Sequence, residues 1–449
     1  MKASIRKLAL SALLLLQFSS YGQSVLDQYI RQAIDSNLAL QQKRVDITKA
    51  KLDLERAKAW FFPLVNLNAQ YTLANGGRTQ DLPIGDLMNP VYKTLNQLTG
   101  SSAFPQISNQ TIQFLPNDFH ETRVEVNYAV FNKDRQHTQR IQAGMIGVQE
   151  AETAIYKREL VKQVKQAYYQ YLQTLEAAKI YQNAQELVAE QLRFSEKLVK
   201  NQVATREIVL QAKAQLSQLQ ASIEDNQQQQ KNAAAWFNFL LNRGFDTPIQ
   251  TNTADWKVQS PQSLAGETQG REELRKLDQA KKVLEANKQM QTDFYLPKLN
   301  AFYQTGFQGF GYKFDDKQFY QLAGLQLQWS IFRGNENKVK IKQANAALTS
   351  MQLQENEVQQ QLKLQSTTAW NSYQSAKASL ASITDELNSA QEVYRLTEKR
   401  WKEGNALQIE LIQARTQLTN AAIRQTLAQL NLLNKAAELE RANATYSIN

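Results

Sequence analysis

Two histidines, His120 and His137, and no cysteine are all that this 449-residue chain offers for imidazole or thiolate chemistry. Neither histidine has a second histidine or a pair of acids at ligand spacing, so no zinc or soft-metal centre is expected. There is no Gly-rich phosphate loop and no nucleophile elbow, and no pair of carboxylates stands out for acid–base work. Catalysis and a bound cofactor are therefore not expected. What remains is aromatic packing and fixed charge. Tyr168, Tyr171, Trp370 and Tyr373 could line a conduit, but their spacing puts them at helix seams, where aromatics pack between helices.

The charge is mild. Lys and Arg total 52 against 42 Asp and Glu. Basic residues are interspersed with Gln and Glu along helical stretches rather than gathered on one face, which argues against a nucleic-acid partner. Three of the cations, Lys2, Arg6 and Lys7, precede the apolar run Leu8 to Leu16, and Ser20 and Gly22 flank a cleavage point. Residues 1–22 thus read as a secretory signal peptide. No later stretch reaches the roughly 20 apolar residues of a spanning helix, so membrane attachment must come from strands or surface contacts.

From about Lys133 to Lys200 there is no proline and only two glycines, and Ala, Gln, Leu, Lys and Glu dominate. One very long helix is predicted, with Val161, Val164, Tyr168, Tyr171, Leu175 and Ala178 spaced as a coiled-coil seam. Ala369, Tyr373, Ala376, Leu380, Ile383 and Leu387 repeat the seam later. Such a helix spans about 100 Å, which predicts an elongated molecule. Breaks at Asn201 to Arg206 and Glu403 to Leu407 turn each long helix back into a second one. Gly404 suits the left-handed end of the later helix. The earlier turn has Gln202 in that place, so Asn201 is expected to take the left-handed conformation.

Strand patterns precede each long helix. Val124, Val126, Tyr128 and Val130 alternate with polar or small residues, as do Leu325, Leu327, Trp329 and Ile331. Partner strands open at Phe62-Pro63 and Leu296-Pro297 and place Leu67, Ala69 and Tyr71, or Leu299, Ala301 and Tyr303, on one face. The segment from Asn75 to Asp118 is about thirty residues longer than its counterpart at Gln308 to Lys317 and reads as an exposed loop.

These features recur at a steady offset. Val130-Phe131-Asn132, Gln142-Ala143, Ala167-Tyr168-x-x-Tyr171 and Ala212-x-x-x-Leu216 return 201 or 202 residues later as Ile331-Phe332-Arg333, Gln343-Ala344, Ala369-Trp370-x-x-Tyr373 and Ala414-x-x-x-Leu418. Two copies of one unit are implied: residues 23–242 and 271–449, joined by 243–270, where Pro248 and Pro261 break the helical pattern. Each copy is a helix, two strands and a long helical hairpin. Four strands cannot close a barrel, for which about eight are needed, so several chains must pool theirs. A secreted chain built this way describes a tunnel. The alternative is a secreted or periplasmic coiled-coil scaffold or adhesin whose strands form a small soluble sheet.

Over essentially the whole mature chain the sequence resembles the TolC-like outer-membrane efflux proteins. The resemblance is carried by Trp329-Ser330-Ile331-Phe332-Arg333-Gly334, its weaker first copy Tyr128-Ala129-Val130-Phe131-Asn132-Lys133, and the tip pattern Trp401-x-x-Gly404, Ile409-Glu410-Leu411, Ala414-x-x-x-Leu418. It implies a mainly α chain with a membrane β-barrel portion: a homotrimer with a twelve-stranded barrel in outer-membrane lipid above a periplasmic helical cylinder. It further implies a passive channel of a tripartite efflux or type I secretion system. The helical tips Asn201, Gln202, Val203 and Glu403, Gly404, Asn405 would dock on a periplasmic adaptor (a membrane fusion protein) served by an inner-membrane pump. In relatives resembling the founding channel two acidic residues ring the periplasmic mouth. The matching positions here are Glu410 and Gln413, and Ile208 and Gln211 in the first copy. Only one is acidic. Glu410 either faces the lumen or lies on the outer face near Arg415 or Lys402. Trp60, Phe61, Phe62, Phe294 and Tyr295 would form an aromatic girdle at the periplasmic interface, and Trp256 would anchor an equatorial belt.

Overall fold

The computed structural model describes residues 24–252 and 270–447. The expected signal peptide and Trp256 lie outside the described residues. The chain divides into two compact units. One comprises the residues up to Lys51, Ala143–Val283 and those from Ala347; the other comprises Leu52–Gln142 and Leu284–Ala346.

The first unit is helical. Its elements are α1 (Val25–Ser36), most of α2 (Leu38–Ala59), the bulk of α4 (Lys133–Lys200), α5 (Glu207–Leu240), much of α6 (Glu272–Thr292), the bulk of α7 (Glu336–Lys402) and α8 (Gln408–Asn443). α4 and α7 are 68 and 67 residues long, each about 100 Å at the helical rise. The expected bounds of α4 and of both breaks coincide with those observed. No helix among the described residues is long and apolar enough to cross a membrane.

Seam residues build the core. Leu160, Val161, Val164, Ala167, Tyr168 and Leu172 of α4 pack with Tyr29 and Ile30 of α1, Phe237 and Leu240 of α5, and Leu430 and Leu433 of α8. A second cluster holds Tyr373 and Ala376 of α7 against Leu432 and Leu439 of α8, flanked by Trp370. α8 thus feeds two cores from opposite faces, as a helix with neighbours on both sides must. Tyr168 is fully buried and Tyr373 nearly so, so both serve packing; Tyr171 is half-buried. The two glycines of α4 let α6 come close: a Cβ on Gly144 would stand 2.6 Å from Val283, and one on Gly147 would meet Gln279 at 2.8 Å.

The second unit is built on strands β1 (Leu64–Thr72), β4 (Phe119–Phe131), β5 (Lys298–Phe310) and β6 (Phe319–Gln328), hydrogen-bonded in the order β1-β4-β5-β6 and antiparallel throughout. β1 and β6 are free edges. The expected strand through Ile331 stops at Gln328, because β5 begins at Lys298, the partner of Gln328, and offers nothing further to pair with. The segment 75–118, expected as a loop, folds into the β2 (Thr79–Leu82) and β3 (Gln110–Gln113) ribbon and helix α3 (Ile84–Thr99).

Candidate functional site: sheet faces and hairpin turns

Cross-strand partners share a face of a sheet, so the register sorts every side chain. One face carries Val65, Leu67 and Tyr71 of β1, Val124, Val126 and Tyr128 of β4, Ala301 and Tyr303 of β5, and Leu325 and Leu327 of β6. Tyr312 and Phe314 pack over its Tyr71 and His120 end, but nothing in the unit covers the rest: Val65, Leu67, Leu325 and Leu327 are 62–72% exposed. The opposite face carries Asn66, Asn68 and Gln70, then Glu121, Arg123 and Glu125, then Gln304 and Gln308, then Gln326.

Arg123 sits in the middle of a polar network on that second face. It pairs with Glu121, and its Nε lies 3.8 Å from Glu125. Tyr320 donates to Glu121 at 3.2 Å, and Asn127 and Asn68 donate to Glu125 at 2.7 and 3.4 Å. The chain therefore presents a Glu–Arg–Glu row with one negative charge in excess. Alternation marks the strand, and charges at i, i+2 and i+4 along it signal that they share a face.

The two hairpin turns are built alike. Gln202 donates to Val199 O at 3.0 Å and Val203 to Leu198 O at 2.9 Å; Gly404 donates to Trp401 O at 3.0 Å and Asn405 to Arg400 O at 2.7 Å. This is the Schellman arrangement, which demands a left-handed residue at its hinge. Gly404 has φ +78° and Gln202 has φ +58°. The expectation for Asn201 is thus corrected: the residue at the hinge must turn whatever its type, and Asn201 continues the helix by donating to Lys197 O.

Glu410 lies in the first turn of α8. Its carboxylate accepts from the Leu407 N–H at 3.4 Å and stands 3.7 Å from Arg400. Its neighbours are thus neither of the two considered from sequence. Arg415 is instead buried and donates to Leu187 O at 3.0 Å, Gln191 at 2.6 Å and Tyr394 at 3.3 Å, which ties α8 to α4 and α7. Gln408 donates to Ser195 at 2.8 Å and adds a second tie to α4. Gln413 is exposed, while Ile208 and Gln211 are half-buried. Asn201, Gln202, Val203, Glu403, Gly404 and Asn405 are all exposed.

Trp60, Phe61, Phe62 and Tyr295 are also exposed, next to the starts of β1 and β5. Phe294 lies under the Arg333 guanidinium at 5.5 Å, and Trp329 Nε1 donates to Tyr295 O at 2.9 Å. Of the histidines, His120 is buried with Nε2 2.7 Å from Gln318 Oε1, and His137 Nε2 lies 2.7 Å from Asp293 Oδ2. Among the described residues no three His, Asp or Glu side chains are grouped to hold a metal ion.

In the helical unit, Arg271 is buried and donates to Ala442 O and to Glu273. Burial pushes the Glu273 carboxyl upward, but hydrogen bonds from Arg271 and Arg441 outweigh it and hold the pKa at about 2. Burial raises the Tyr446 phenol to about 12, helped by Asp27 and Glu440.

Residues 267–445 match the model of the outer membrane efflux protein family. No curated protein matches the chain in sequence. Among solved structures, the outer membrane protein VceC of Vibrio cholerae is similar with a TM-score of 0.70 at 15% identity, over 93% of this chain and 95% of that one. The Campylobacter jejuni CmeC outer membrane channel gives 0.72 at 12%, over 93% and 85%. The open state of the Neisseria gonorrhoeae MtrE outer membrane channel gives 0.70 at 15%, over 93% and 88%. The chain thus matches the outer membrane efflux protein model across most of its second half and has the fold of these channels along nearly its whole length.

Proposed function

We propose that three copies of this chain close a twelve-stranded barrel in the outer membrane, apolar face to lipid and polar face to the lumen, through which cargo leaves passively. The observation that carries this reading is the four-stranded sheet with a largely bare apolar face and two unpaired edges. Four strands cannot close, and an open edge invites another strand. In lipid the apolar face needs no cover, and edge-to-edge pairing leaves no backbone group unsatisfied.

The chain is read as a signal peptide (1–22), a first repeat (23–242), a linker (243–270) and a second repeat (271–449), with the helical unit in the periplasm. The matched pair of Schellman turns supports a docking role for Asn201–Val203 and Glu403–Asn405, since both would offer the same backbone geometry to a periplasmic adaptor and, through it, to an inner-membrane pump. Glu410 and Gln413, with Ile208 and Gln211, border the aperture. Trp60, Phe61, Phe62, Phe294 and Tyr295 form the periplasmic girdle. The channel carries no catalysis, and the pump supplies the energy.

Single-channel recording of detergent-purified protein in planar bilayers tests this, with wild type compared to Glu410→Gln. Discrete conductance with a cation preference that weakens in the variant supports both the tunnel and the acidic aperture. Conductance indifferent to Glu410 keeps the tunnel and removes that residue from the aperture. Failure to insert favours the scaffold reading.

A further inference from the structure

The connection between β1 and β4 leaves the sheet at the end away from α2 and α4, and it contains a helix turned inside out. α3 starts after Pro83 and ends at Gly100, whose φ is +66°. Its inward stripe is Gly85, Asn89, Tyr92 and Asn96, spaced four, three and four residues apart. Asn89 exchanges two hydrogen bonds of 2.9 Å with the backbone of Ile107, and Asn96 exchanges bonds of 2.8 and 3.0 Å with that of Phe104. Asn109 accepts from Asp86 N–H at 3.1 Å and donates to the Asp86 carboxylate at 2.9 Å. Gly85 is buried so tightly that a Cβ would meet Ile107 O at 2.5 Å. These bonds fix the rotation of α3 about its axis.

The stripe held outward is apolar. Ile84, Met88, Val91, Leu95 and Leu98 recur at intervals of four, three, four and three, the spacing of a coiled-coil seam. Leu98 is 79% and Val91 49% exposed, Ile84 and Met88 are also exposed, and Leu95 is half-buried. A seam of this kind is completed by another helix. The charged residues of α3 are Asp86 and Lys93, neither on the seam, so identical helices approach without like-charge repulsion. An interfacial helix on an anionic leaflet would instead line its polar face with several Lys or Arg, and α3 has one.

We infer that the occupant of this stripe is α3 of the other subunits: three seams meet in a parallel three-helix coiled coil. This rests on the trimeric barrel reading. In a three-fold assembly, identical stripes that face one another can do so only around the axis, so the bundle stands across the outer mouth and caps the lumen.

The chain has no cysteine, so single-cysteine variants report cleanly. Val91→Cys and Leu98→Cys, treated with a short bis-maleimide in detergent, should give covalent dimers at least tenfold more efficiently than Lys93→Cys on the opposite face, while native mass spectrometry reports the assembly. Val91→Asp with Leu98→Asp, which spares the asparagine clamp, should raise single-channel conductance at least twofold. A trimer that does not cross-link, with a fluorophore at position 91 quenched by brominated lipid, overturns the inference and assigns the stripe to membrane, leaving the barrel intact. Cross-linking with unchanged conductance overturns the capping role. A monomer overturns the barrel reading and this inference together.

Discussion

Gln202 holds a left-handed backbone that its counterpart Gly404 adopts freely, and that strain costs a non-glycine residue about 1 kcal/mol. Gln202→Gly is expected to stabilise the first turn by about that amount, and Gly404→Ala to destabilise the second similarly, read by amide hydrogen exchange at each tip. The break itself was legible in the sequence, but propensity assigned the left-handed role to Asn201. Its true position follows from which carbonyls the turn closes on, and one residue's preference does not carry that information. Arg123 illustrates the same limit. Removing its guanidinium in Arg123→Gln leaves Glu121 and Glu125 uncompensated on the polar face, so the potassium-over-chloride permeability ratio should rise, measured as a reversal potential across a salt gradient.

At the scale of elements, α8 joins two cores, and beside its end the Arg271–Glu273–Arg441 cluster fastens α6 to it. Glu273 has a folded pKa of about 2 against 4.5 for the free group. Its contribution is therefore complete above the unfolded value and is lost as pH falls towards 2. Glu273→Gln should lower stability by on the order of 2 kcal/mol at neutral pH, with the difference from wild type shrinking as denaturant melts move from pH 5 to pH 3. Helix periodicity revealed α4 and its seam because its 68 residues contain no proline. The same reasoning passed over α3, where Pro90 interrupts the pattern and the buried stripe is Asn and Gly rather than aliphatic. Its apolar seam lies about 100° around the helix from the asparagine clamps, and only their hydrogen bonds show which stripe is left outward.

For the whole molecule, the decisive property of the proposed barrel is that adjacent residues of one strand face different solvents. Leu67→Lys on the apolar face should cost about 2–4 kcal/mol near the bilayer midplane and abolish recovery of the assembled form from outer membranes, whereas Asn68→Lys next to it should be tolerated; semi-native electrophoresis distinguishes the two. Alternation alone could not decide between lipid and a soluble core, since both demand one apolar face. What favours lipid is that nothing in the sheet's own unit lies over Leu67 or Leu325. The two free edges then govern abundance as well as architecture. In the proposed barrel of three chains, the final rows of backbone hydrogen bonds form between molecules rather than within one, so equilibrium assembly follows the cube of the subunit concentration. A tenfold fall in free subunit lowers the trimer about a thousandfold by mass action, and a cell that expresses this gene weakly would hold mostly sticky, unclosed sheets rather than proportionally fewer pores.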